Sequence, residues 1–170
     1  MKLIVFALLA TLSTPALAEV SIVIDRSDLQ ATIYNDGRVI DIYPLAMGKP
    51  TSPTPVGNFR IKSVDINPDW RGTRGQGYVP PGPANPLGRV RMRYDAPYAL
   101  HGNNNPASIG TYASLGCIRM RNADVIDLAK LIFIDTETWQ GDAWFDSMLR
   151  HNRTQYHIPL KNSVKITIQE

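Results

Sequence analysis

The chain carries one cysteine, Cys117, and a histidine, His101, sixteen residues before it. A thiol attacks as its thiolate, and a free cysteine ionises only near about pH 8.5, so at neutral pH it needs a base. An imidazole is the side chain best suited to take that proton. His101 ends a short apolar run, and the stretch between it and Cys117 is polar and rich in Gly and Asn. Such a stretch can fold back and bring the two side chains together. Spacing alone leaves open an inert buried thiol and a structural histidine.

The neighbours of the thiol make the chemistry more specific. Ser114-Leu115-Gly116 precedes it. Gly116 permits a tight backbone conformation and close approach of a substrate. The amides of Gly116 and Cys117 are then candidates for an oxyanion hole, where one donor typically contributes roughly 3 kcal/mol. Arg119 follows two residues on. In an extended segment it shares a face with Cys117. Its guanidinium suits a substrate carboxylate through two parallel hydrogen bonds. An ion pair within the fold is the competing use.

The elements that must position these groups are mostly strands. Residues 20–24 are an apolar run, and 29–34 alternate Leu29, Ala31 and Ile33 with polar neighbours. Asn35-Asp36-Gly37 is a tight-turn signal, and a strand is expected to resume over 39–47, closing a hairpin. Pro53 and Pro55 stiffen the next loop. Strands are expected over 58–66, 89–94 and 98–100, the last leading into His101. The Gly- and Pro-rich segment 67–88 is read as a substrate-facing loop. After Cys117 the period changes. Asn122 is read as an N-cap with Asp124 in the first turn, and Val125, Ile126, Leu128, Ala129, Ile132 and Phe133 follow helical spacing. A second helix is expected near 142–150, burying Trp144, Phe145, Met148 and Leu149. A final strand is expected through Val164, Ile166 and Ile168. The fold class is mostly β (a β-rich α+β fold), a β-sandwich or barrel with one or two helices packed on it.

Residues 1–18 read as a removable export signal. Lys2 supplies the positive start, 3–12 are an almost unbroken apolar run, and Ala16-Leu17-Ala18 offers small residues for cleavage after Ala18. The run is about half of the roughly twenty residues a bilayer span needs, so no stable membrane insertion is expected after cleavage. Residues 19–170 are then expected to form one domain that works outside the cytoplasm, in the periplasm or beyond. Exported proteins usually use cysteine in pairs, which makes a lone thiol a nucleophile worth testing. The net charge of +3, from 18 basic and 15 acidic residues, falls to +2 without Lys2. With no basic block, nucleic acid is not an expected partner. Zinc is not expected either: Cys117, His101, His151 and His157 fit no structural zinc spacing.

His101-Gly102, followed by Ser114-Leu115-Gly116-Cys117-Ile118-Arg119-Met120 with Asn122 and Asp124, closely resembles the signature of the L,D-transpeptidase catalytic domain. Thr54-Pro55-Val56-Gly57-Asn58-Phe59 and Asn85-Pro86-Leu87-Gly88 look like two upstream markers of that family, in the family's order. Leu115 stands where many members have histidine, which leaves His101 as the histidine placed to be the base. The resemblance implies an enzyme that acts on the peptide stems of bacterial peptidoglycan, with no cofactor. Cys117 would attack the carbonyl between diaminopimelate and a terminal D-alanine, form a thioester and pass the acyl group to an amine. The Gly102 carbonyl would orient His101, and Arg119 and Ser114 would bind or position the donor. Water as acceptor would make the enzyme an L,D-carboxypeptidase, and a wall-peptide binding module without turnover is a third reading. Family behaviour also implies acylation by carbapenems.

Overall fold

The computed structural model describes residues 19–72 and 77–170. The expected export signal at 1–18 lies outside the described residues, as do positions 73–76 of the Gly- and Pro-rich segment.

Alternation along Val20–Asp25 (β1) buries Val20, Ile22 and Ile24. Gln30–Asn35 (β2) pairs antiparallel with β1 and with Arg38–Pro44 (β3). Between β2 and β3, Asp36 and Gly37 have φ of 49° and 72°. A two-residue turn of that hand matches the twist of its flanking strands. The strand expected over 39–47 stops at Pro44, which has no amide to carry a ladder further. The chain resumes as the short Met47–Gly48 (β4).

Gly57–Ile66 (β5) follows the proline loop. The segment expected to be a loop contains a small hairpin, Trp70–Arg71 (β6) and Tyr78–Val79 (β7). Asn85, fully buried, organises it. Its Nδ2 donates to the carbonyls of Pro68, Val79 and Pro80 at 2.9, 3.1 and 3.1 Å, and its Oδ1 accepts the Leu87 amide at 2.9 Å. Val90–Asp95 (β8), Tyr98–His101 (β9), Tyr112–Ser114 (β10) and Ile118–Arg119 (β11) come next. Asn122–Asp135 (α1) and Asp142–Arg150 (α2) precede the last strand, Tyr156–Gln169 (β12). That strand begins well before Val164 because its first part also pairs with β5.

Eight strands form one sheet in the order β11-β9-β8-β5-β12-β1-β2-β3, curled into a half-barrel. β10 pairs with β4, and β6 with β7. The class is the mostly β one expected, with two helices. α1 buries Val125, Leu128, Ala129, Ile132 and Phe133, an apolar stripe at helical spacing. These join Met92, Leu100 and Ile118 in the core. Asn122 is not the N-cap. Arg121 holds that position without a side-chain cap bond, because the Asn122 amide is engaged elsewhere. On α2, Phe145 and Met148 are buried, whereas Trp144 and Leu149 are half-buried. Phe133, Trp139, Trp144 and Phe145 pack edge-on or tilted as one aromatic group, with neighbouring centroids 5.5 to 6.4 Å apart. This group covers the core, and none of its members lines the cleft described next.

Candidate active site

Strand alternation decides which side chains meet. Met92, Leu100 and Ile118 stand level across β8, β9 and β11 and are fully buried in the core. Arg91, His101 and Arg119 also stand level across the same strands. Being one residue removed, they face the other side of the sheet. Cys117 shares that face with Arg119. A cleft of about 530 Å³ opens there, lined by Cys117, His101, Arg119, Arg91 and Arg93, with Trp70 and Leu87 from the 67–88 segment as part of its wall.

His101 is buried, and its Nδ1 lies 2.6 Å from the Gly102 carbonyl oxygen. A carbonyl only accepts, so Nδ1 carries the proton of that bond. Burial, aided by the charges of Arg119 and Arg91, pushes the imidazole down to about 4 against the pull of the Gly102 carbonyl. The ring is therefore neutral at pH 7, and its Nε2 holds a lone pair. Burial pushes the Cys117 thiol up, opposed by a hydrogen bond to the Ala99 backbone and by Arg119 and Arg91. The resting pair is a neutral thiol and a neutral imidazole. Proton transfer then has to accompany attack on a carbonyl, as general-base catalysis requires.

The Gly102 carbonyl is itself held in place. Asn122 Oδ1 accepts the Arg89 amide at 2.9 Å, and its Nδ2 donates to the Asn103 carbonyl at 2.9 Å. The side chain lies between two glycines. A Cβ on Gly88 or Gly102 would meet Asn122 Oδ1 at 2.1 or 2.3 Å. Asn103 braces the loop beyond, donating to Asn105 O at 2.6 Å and to Ser108 Oγ at 2.7 Å. Neither role is visible in sequence, because both depend on contacts across the fold.

The turn that carries the thiol is built differently from the sequence-based expectation. Ser114 is buried, and its hydroxyl donates to the Cys117 carbonyl at 2.6 Å while accepting the Gly116 amide at 3.0 Å. Ser114 therefore holds the turn and has no spare donor for a substrate. The Gly116 amide is spent on it, which removes Gly116 from the expected oxyanion pair. The Cys117 amide has no such loop partner among the described residues. Gly116 has φ of 114°, and a Cβ there would lie 2.5 Å from the Tyr98 ring. Leu115 is 62% exposed above the cleft.

Arg91 and Arg93 also line the cleft; the alternation of basic and apolar residues over 89–94 is the sequence signal that puts them on one face. Arg91 is nearly buried and is held by Asp65 at 2.7 Å. The other histidines lie apart from the thiol: His157 Nδ1 is 2.7 Å from Asp65 Oδ1, and His151 Nδ1 is 2.6 Å from the Ser147 carbonyl. Among the described residues no three metal-ligating side chains converge.

A family model described as the L,D-transpeptidase catalytic domain matches residues 19–139. YkuD of Bacillus subtilis is 38% identical over 102 residues, covering 59% of this chain and 53% of its own length. The chain thus spans about half the length of that relative. An L,D-transpeptidase structure from Mycobacterium smegmatis superposes with a TM-score of 0.56 at 21% identity, covering 90% of this chain and 59% of the other. LdtMt1, solved in complex with imipenem, superposes with a TM-score of 0.55 at 18% identity, covering 89% and 59%. These two likenesses bear on the fold.

Proposed function

The chain belongs to the L,D-transpeptidase catalytic domain family, and on that premise we propose that Cys117 and His101 turn over the peptide stems of bacterial peptidoglycan. One observation carries the reading: thiol, imidazole and the Arg119 guanidinium line one cleft on one face of adjacent strands, with Nδ1 of His101 committed to the Gly102 carbonyl. That commitment leaves Nε2 as the nitrogen able to take a proton.

The donor is a tetrapeptide stem whose scissile bond joins diaminopimelate to D-alanine. Nε2 of His101 accepts the Cys117 proton as the sulfur attacks the carbonyl. The Cys117 amide donates to the oxyanion that forms, a contribution of roughly 3 kcal/mol for one such donor. Collapse breaks the C–N bond, and the imidazolium gives its proton to the departing amine of D-alanine. A thioester to Cys117 remains. An acceptor amine then loses a proton to Nε2, attacks the thioester and releases the thiol. Arg119 binds a donor carboxylate. No step needs a cofactor.

The site of this chemistry is outside the cytoplasm, where the wall polymer lies. Residues 1–18 acting as a cleaved leader and 19–170 acting as one catalytic domain fit that location. The test is mass analysis of muropeptides incubated with the mature protein. The expected products are 3–3 cross-linked dimers, lost in Cys117→Ala. Loss of D-alanine without cross-links would make water the acceptor and the enzyme an L,D-carboxypeptidase. Binding of stems with no product at all would leave a wall-peptide binding module.

A further inference from the structure

The cleft is strongly cationic, and its arginines are not equivalent. Arg71 pairs with Asp69 at 3.0 Å, and Arg91 pairs with Asp65 at 2.7 Å and with Asp69 at 3.7 Å. Arg93 and Arg119 have no carboxylate or other side-chain hydrogen-bond partner among the described residues, and Arg119 Nε is buried without one. Arg119, partly buried with no acceptor for its Nε, is costly to keep unless a ligand supplies one, whereas Arg93 is exposed at the cleft with its guanidinium open to a ligand.

Their placement around the thiol follows from the register. Arg93 stands opposite Ala99, and Ile118 stands opposite Leu100, so Cys117 is level with Ala99. Arg93 is therefore two strands across from Cys117, about 10 Å between backbones, and Arg119 is two residues along, about 7 Å away. The single methyl of Ala99 leaves open floor between the sulfur and Arg93. The two free cations flank the reacting atom in different directions.

We propose that Arg93 is a second carboxylate-binding residue of this cleft, so that the preferred donor carries a free side carboxylate for Arg93 in addition to the one taken by Arg119. This rests on the stem-peptide reading above. Converting that side carboxylate to a primary amide removes its charge and places N–H groups against a guanidinium that only donates.

Two synthetic tetrapeptide donors provide the test. In one, the glutamate and distal diaminopimelate carboxylates are free. In the other, both are primary amides, and the terminal D-alanine carboxylate, the one assigned to Arg119, is kept. Wild-type kcat/KM is expected to favour the free donor by about ten- to a hundredfold, the range of a charge-assisted hydrogen bond. In Arg93→Gln the ratio should collapse towards one, and Arg93→Lys should restore part of it. Equal use of both donors by the wild type, or a full preference retained in Arg93→Gln, overturns this subsite while the proposed function stands. Failure of the wild type to turn over either donor overturns both.

Discussion

At the residue scale, the site depends on a histidine that stays uncharged in a cationic setting. Folded, its imidazole lies at about 4; unfolded, it returns to about 6.5. Above the unfolded value both states are neutral, and the folded protein has its full stability. Between about pH 6.5 and pH 4 only the unfolded chain takes up the proton, so about 3 kcal/mol of stability is lost across that window. Urea unfolding at a series of pH values should show this loss in the wild type and a smaller one in His101→Gln; parallel curves would contradict it. Kinetics give the companion expectation. The acid limb of kcat/KM should lie near pH 4, and alkylation of Cys117 by iodoacetamide should climb only above about pH 8.5, the ordinary thiol range. A flat, fast alkylation rate between pH 5 and 8 would instead mean a resting thiolate–imidazolium pair.

At the scale of elements, what positions the site is a set of short pieces joined by side chains. Asn122 begins α1, yet its amide spans the loops at Gly88 and Gly102. Asn122→Ala should cost about 1 kcal/mol of stability, since a half-buried amide and carbonyl lose their partners. It should also lower kcat by about tenfold with little change in KM, as the Gly102 carbonyl loosens its hold on the imidazole. Thermal melting and steady-state kinetics check this, and an unchanged kcat would remove Asn122 from the positioning machinery. The same residue shows where sequence reading reaches its limit. The β2–β3 turn and α2 were legible because turn chemistry and helical period are local. Asn122 has the type and place of an N-cap, and only the approach of Arg89 and Asn103 across the fold gives its amide another use. Ser114 is similar: its hydroxyl serves the turn that carries Cys117, a contact its sequence position does not reveal. The β6–β7 hairpin was hidden because strands of two residues carry no period.

At the scale of the whole molecule, one polar row crosses five strands of the sheet: Arg119, His101, Arg91, Asp65 and His157 stand level on β11, β9, β8, β5 and β12. The row ties the site to the central strand β12. Its buried link is Arg91 with Asp65, and breaking a buried pair by removing one partner typically costs about 3–5 kcal/mol. Asp65→Ala is therefore expected to lower the urea midpoint substantially; an unchanged midpoint would mean that solvent reaches Arg91. Under the proposed function, the arginines of this cleft suit an anionic peptide, on which the thiol and imidazole act. That action is tested most directly by intact-mass analysis of protein quenched in acid during turnover of a tetrapeptide stem. The expected result is an adduct equal to the stem without its D-alanine, carried on Cys117, released by hydroxylamine and absent from Cys117→Ala. Turnover with no such adduct, or an equal adduct on Cys117→Ala, would contradict the account.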